Sequence, residues 1–121
     1  MYKFYHVVNR SIDKKKIFLD KQDHLRFIRD LFVLNDKNVV NTTNYFHKKD
    51  KDSSGDHSNQ AKKPRELLVD IHAFCLMPNH YHLLVSPKEE GNISKFAQKM
   101  GVAYVKYFNQ KYKRRGTLFE G

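Results

Sequence analysis

The chain has 121 residues, with 23 Lys and Arg against 13 Asp and Glu, a formal charge of +10. Length and a 40% hydrophobic content allow one compact domain over residues 1–121 and exclude a second. The charge excludes a neutral surface and favours a polyanionic partner, most simply nucleic acid.

No apolar run approaches the roughly 18 residues of a membrane span, and the opening MYKFYHVVNR has no signal-peptide core. The single cysteine, Cys75, excludes a disulfide framework and a cysteine zinc cluster; a free thiol fits a reducing cytoplasm.

Tyr2 to Arg10 alternates and is rich in β-branched and aromatic residues, which predicts a strand. Tyr2, Phe4, His6 and Val8 share one face. Asp20 to about Leu34 reads as a helix. Asp20 caps it, with Asp23 reaching back to the free N–H groups, and His24, Phe27, Ile28, Leu31 and Phe32 form its apolar side. Residues 35–66 break every pattern and read as a mobile polar insertion, with only Val39, Val40, Tyr45 and Phe46 offering burial.

Leu67 to Met77 is a near-continuous apolar run, which predicts a central strand buried on both faces. Pro78-Asn79 makes a turn, and Asn79 to Val85 alternates as the return strand of a hairpin. Asn92 caps a long helix through about Lys113. On a helical wheel Ile93, Phe96, Ala97, Met100, Tyr104, Tyr107 and Phe108 fall on one arc. Lys95, Lys99, Lys106 and Lys113 fall opposite. From Lys95 to Arg115 there are seven basic residues and no acidic one.

The order strand, helix, insertion, strand, strand, helix predicts an α+β fold. It is a ferredoxin-like or RRM-like antiparallel sheet with helices on one face, lacking its final strand. That strand lies in the insertion, lies beyond the C-terminus, or does not exist.

The sharpest local feature is Met77-Pro78-Asn79-His80-Tyr81-His82-Leu83-Leu84-Val85. On a strand His80 and His82 point to the same side, about 6.5–7 Å apart, close enough to converge on one divalent cation. Most His-x-His pairs in strands are two polar residues on a wet face, and two ligands do not complete a zinc site. His72, which by alternation shares a face with Asp70 and Phe74, and His6 on the first strand each read as a hydrogen-bonded strand histidine or as a third ligand or its partner. Asn79 serves the turn.

The basic residues carry two readings as well. Arg10, Lys14, Lys15 and Lys16 suit backbone phosphates or form a soluble turn. Lys95, Lys99, Lys106 and Lys113 form a solvated helix face or a phosphate contact. Arg114 and Arg115 suit a hairpin stem or groove.

The string LMPNHYHLLV resembles the HUH motif of single-tyrosine transposases of the IS-two-hundred insertion-sequence type, closest to the REP-associated tyrosine transposases. FYHVVNRSIDKKKIFLDKQDHLRFIRDL, IHAFCLMPNHYHLLVSP and ISKFAQKMGVAYVKYFNQKYKRRGTLFEG resemble the same family, so all but the insertion is covered.

The resemblance implies that His80 and His82 bind Mg2+ or Mn2+. It implies that a tyrosine hydroxyl attacks a scissile phosphate in single-stranded DNA beside a hairpin, leaving a 5′-phosphotyrosine and a free 3′-OH. In the family that tyrosine lies on a helix after the Gly-Thr-Leu-Phe segment, whereas this chain ends at Gly121, so the resemblance implies a truncated member. Within the chain Tyr112, Tyr107 and Tyr104 are the candidates, although Tyr104 and Tyr107 lie on the apolar arc and Tyr112 suits a surface or base-stacking position.

The partner implied is single-stranded or hairpin DNA, with no membrane, bound by a monomer or homodimer in the cytoplasm. The alternative is an inactive remnant that only holds a DNA or RNA hairpin. An unrelated RRM-like RNA binder is disfavoured, since the central strands lack an RNP-type aromatic run.

Overall fold

A computed structural model describes residues 2–38 and 64–120. Among them five main elements follow in order: β1 (Tyr5–Arg10), α1 (Lys21–Val33), β2 (Val69–Met77), β3 (His80–Pro87) and α2 (Asn92–Lys111). The three strands form one antiparallel sheet in the order β1-β3-β2. This is the expected α+β architecture. No described helix is long and apolar enough to cross a membrane.

β3 rather than β2 takes the centre. Its alternation sends Tyr81, Leu83 and Val85 into the core. β2 is an outer strand, and its residues 72–75 are exposed. The prediction of a strand buried on both faces fails because only Val69, Ile71 and Leu76 of the strand reach the core. The turn at Pro78-Asn79 joins the two strands as predicted.

α1 starts at the Asp20 cap, whose Oδ1 accepts from the Asp23 amide at 2.9 Å. Asp23 reaches back one residue further than a simple capping box, its Oδ2 accepting from the Leu19 amide at 3.0 Å. The buried side of α1 carries Phe27 and Leu31 together with Asp23 and Asp30, while Ile28 and Phe32 face outward. The Arg65 guanidinium lies over the Phe32 ring at 3.8 Å. The buried arc is therefore rotated from the predicted one, because two buried carboxylates occupy positions that polarity assigns to water.

α2 buries Phe96, Met100, Tyr104 and Phe108 as expected. It stops at Lys111, and Lys113, expected inside it, takes a left-handed conformation with φ 52°. Phe27 packs between the sheet and α2, with ring centroids 4.5 Å from Tyr81 and 5.6 Å from Tyr104. Each such side chain contributes about 2–3 kcal/mol by leaving water.

The C-terminal residues sit where a fourth strand would lie. Ser11 and Phe119 form an antiparallel bridge beyond β1, with Ile12 N donating to Leu118 O at 2.9 Å and Glu120 N to Arg10 O at 2.8 Å. Leu118 and Phe119 are buried.

Most of the predicted insertion, residues 39–63 with Val39, Val40, Tyr45 and Phe46, lies outside the described residues. Its two ends are clasped together. The buried Asn35 carboxamide accepts from the Leu68 and Val69 amides, each at 3.0 Å, and donates to Val69 O at 2.9 Å. Lys37 N donates to Glu66 O at 2.6 Å.

Candidate functional site

The helices pack against the Tyr81 face of the sheet, which leaves the opposite face open. Strand register arranges that open face in rows. Arg10, His80 and Met77 form the first, and Val8, His82 and Cys75 the second. His6, Leu84 and Ala73 form the third, and Asp70 pairs with Ser86 in the fourth, with Phe4 just ahead of β1. His80 and His82 are half-buried, and Arg10, Val8, Cys75 and Met77 are exposed.

The His80 and His82 rings stand edge-on with centroids 4.9 Å apart. His82 Nδ1 lies 2.7 Å from His6 Nε2, and these two rings stack at 4.9 Å with 13° between their planes. His80 Nδ1 lies 2.7 Å from Asn79 Oδ1. A carboxamide oxygen only accepts, so His80 Nδ1 carries a proton and donates to it. In both histidines Nδ1 is engaged by a neighbour and Nε2 is left for a ligand. Partial burial, with His80, His6 and Arg10 alongside, pushes the His82 imidazole below its ordinary value. Imidazole nitrogen is a common ligand of divalent cations, so two Nε2 atoms on one face fit such an ion chemically. Among the described residues no three His, Cys, Asp or Glu side chains gather around a common point. The pair would therefore hold an ion with water or phosphate oxygens in its remaining positions.

His6 thus stands beside the pair. His72 does not. A bulge between Ile71 and Ala73 breaks the β2 alternation, so Asp70 opposes Ser86 on the open face while Phe74 opposes Leu83 on the helix face. The expected sharing of one face by Asp70, His72 and Phe74 fails for that reason. His72 Nε2 meets Ser86 Oγ at 2.8 Å, in the fourth row.

A family model described as "Transposase IS200 like" matches residues 38–121, more than half of the chain and the part that holds both histidines. The chain belongs to the IS200-like transposase family. No curated protein and no solved structure gives a match.

In this transposase the fold gathers two basic clusters that are far apart in sequence. The segment carrying Lys14, Lys15 and Lys16 wraps the turn before His80. Ser11 N donates to Asn79 O at 3.0 Å and Ile17 N to Pro78 O at 2.7 Å. Lys15, Lys16 and Arg114 line one shallow pocket with Leu19, Phe108 and Tyr112. Arg114 is positioned by Asn109 Oδ1 at 2.6 Å and Thr117 O at 3.1 Å. Lys113 and Arg115 flank it in the chain, and Arg115 is exposed. Arg10 stands opposite His80 at the start of β3.

The α2 stripe is not one patch. Lys99 donates to Asp36 O at 2.6 Å, so its ammonium is tied within the fold rather than presented to a partner. Burial lowers its pKa. Lys95 is exposed at the start of α2, where Asn92 donates to Leu68 O, far from the basic end. From Lys95 to Lys111, where the helix stops, the rise is about 24 Å. Lys106 is exposed between them.

The transposase's three candidate tyrosines lie on the helix side, away from the histidines. Tyr104 is fully buried and donates to Ile17 O at 2.5 Å. Tyr107 and Tyr112 donate to the two oxygens of Asp23, each at 2.6 Å. Lys111 Nζ completes the cluster at 2.8 Å from Asp23 Oδ1 and 2.7 Å from Asp20 Oδ2. Burial pushes Tyr107 up to about 12, and burial with the Asp23 charge raises Tyr112 as well. Burial also raises Tyr104. Burial works against the Asp23 carboxylate, but Lys111 and the two hydroxyls hold it well below the usual range. These hydroxyls are protonated donors in a structural network. That network was not legible from sequence, where Asp23 read only as part of a cap.

Proposed function

We propose that this transposase acts on single-stranded DNA that carries a hairpin, with Mg2+ or Mn2+ held by His80 and His82. The observation that carries the reading is the pair itself. Two imidazoles present Nε2 on the open face, each with Nδ1 engaged, beside Arg10, which stands opposite His80 in the strand pairing. When bound, the cation supplies charge stabilisation at a phosphate oxygen. Arg10 holds a second phosphate oxygen, and the basic clusters grip the flanking backbone without reading bases. The attacking group that the family resemblance implies is a tyrosine hydroxyl. Its oxygen bonds to phosphorus, the bond from phosphorus to the 3′ oxygen breaks, and the phenolic proton passes to that leaving oxygen.

One observation favours a second reading, hairpin binding without cleavage: all three candidate hydroxyls are already committed. The two separate in a gel. The chain is incubated with a labelled hairpin oligonucleotide carrying a single-stranded flank, in Mn2+ or in EDTA. A covalent, protease-sensitive adduct that needs metal and vanishes in His80→Ala supports cleavage. A mobility shift with no adduct supports binding alone. Neither shift nor adduct overturns both.

A further inference from the structure

Two rows beyond His82 the open face changes character. Tyr2 and Phe4 are 58% and 59% exposed, unusual for neighbouring aromatic side chains of a small domain. Their rings meet edge-on at 5.5 Å, and the His72 ring joins them at 4.7 Å from Phe4 and 5.6 Å from Tyr2. The cluster is built. His72 is fixed by its bond to Ser86 Oγ, Tyr2 OH donates to the Asp70 carboxylate, and Lys88 Nζ pairs with Asp70 at 3.0 Å. The β2 bulge places His72 there. Exposed Leu84, in the row between, and exposed Val8, beside His82, join this cluster to the histidines by an apolar surface. Four residues of strand separate Phe4 from Val8, the partner of His82, or about 13 Å. That is the reach of a few nucleotides.

We propose that Phe4, with Tyr2 and His72 around it, is a stacking platform for bases of the DNA strand that flanks the bound phosphate. The inference rests on the single-strand reading above and extends it with a second contact region. Three features favour nucleobases over an apolar protein face. The chain carries +10 overall, the platform is continuous with the His80–His82 pair, and polar rings and an ion pair interrupt the apolar surface. Stacking on exposed rings tolerates any base, because every base has a π face. The platform therefore adds affinity and direction without specifying sequence. The strand runs from the Arg10 end of the sheet, past His82, to Phe4.

The chain has no tryptophan, so Phe4→Trp introduces a unique fluorescent reporter. Full-length protein is titrated with end-labelled single-stranded oligothymidylate, with a duplex as control. Anisotropy of the label reads binding, and emission of the introduced indole reads stacking. The platform predicts single-strand binding with strong quenching of that indole. It also predicts roughly tenfold weaker binding for both Phe4→Ala and Phe4→Leu. Leu keeps apolar area without a π face, so its loss separates stacking from simple burial. Binding of the labelled strand with no quenching and unchanged affinity in both variants overturns the platform and leaves the single-strand reading standing. No binding by any form overturns that reading and the platform with it. If Phe4→Ala changes only the sedimentation of the free protein, the patch is a contact between copies, and the platform is overturned.

Discussion

Asp30 lies fully buried on α1, with neither carboxylate oxygen hydrogen-bonded. Arg26 Nε is 3.4 Å away but poorly aligned, and the Arg26 guanidinium also faces the Tyr107 ring at 5.0 Å. Burial raises the Asp30 carboxyl to about 6 against Arg26 and Arg29, from 3.8 in an ordinary setting. Between about pH 4 and 6 the folded chain binds more protons than the unfolded chain. Stability therefore falls as pH rises through that window and is level above it. Asp30→Asn keeps the shape and removes the charge. It should raise stability by about 1–2 kcal/mol near neutral pH and change little at about pH 4, read as Tm at the two values. A variant that is less stable near neutral pH would show that the Arg26 pairing outweighs the burial cost. Asp23, nearer the start of the same helix, is the opposite case. Equally buried, it accepts from Leu19, Tyr107, Lys111 and Tyr112 and stays charged.

At the scale of elements, the short C-terminal run Leu118-Phe119 does the work of a strand with a single bridge. Phe119 packs edge-on to Tyr81 at 5.8 Å, directly beneath the strand that carries both histidines. Phe119→Ala should cost about 3–4 kcal/mol in urea unfolding. It should also weaken DNA binding, because the Lys113–Arg115 segment loses its tether to β1; unchanged affinity in the folded variant would disprove that link. Alternation in β1 and β3 and the apolar arc of α2 were legible, since each has one wet and one buried face. The placement of β2 at the edge was not, because an apolar run does not say how its members divide between faces. The rotation of α1 was hidden by Asp23 and Asp30. Burial of the first depends on partners nearly ninety positions away, and burial of the second on a neighbouring turn.

At the scale of the molecule, a charge of +10 predicted a polyanionic partner but not where it would be gripped. The fold joins Lys15 and Lys16 to Arg114 and withdraws Lys99. A single-strand contact contributes about 0.7 to the slope of log K against log salt. Lys15→Ala with Lys16→Ala should therefore flatten the slope by about 1.4, whereas Lys99→Ala should leave it unchanged. Equal effects in the two variants would return Lys99 to the interface. His80 and His82 were legible because spacing on a strand fixes a common side. The role of His6 was not, because only the pairing of β1 with β3 brings it to His82. A last consequence follows from the clasp at Asn35 and Lys37. The two ends of the intervening chain are already pinned side by side at the start of β2, so the sheet does not sense the length of what joins them. For a flexible connection, doubling that length costs only about 0.6 kcal/mol. The position is a graft point, where whole segments can be exchanged while the histidine face keeps its register.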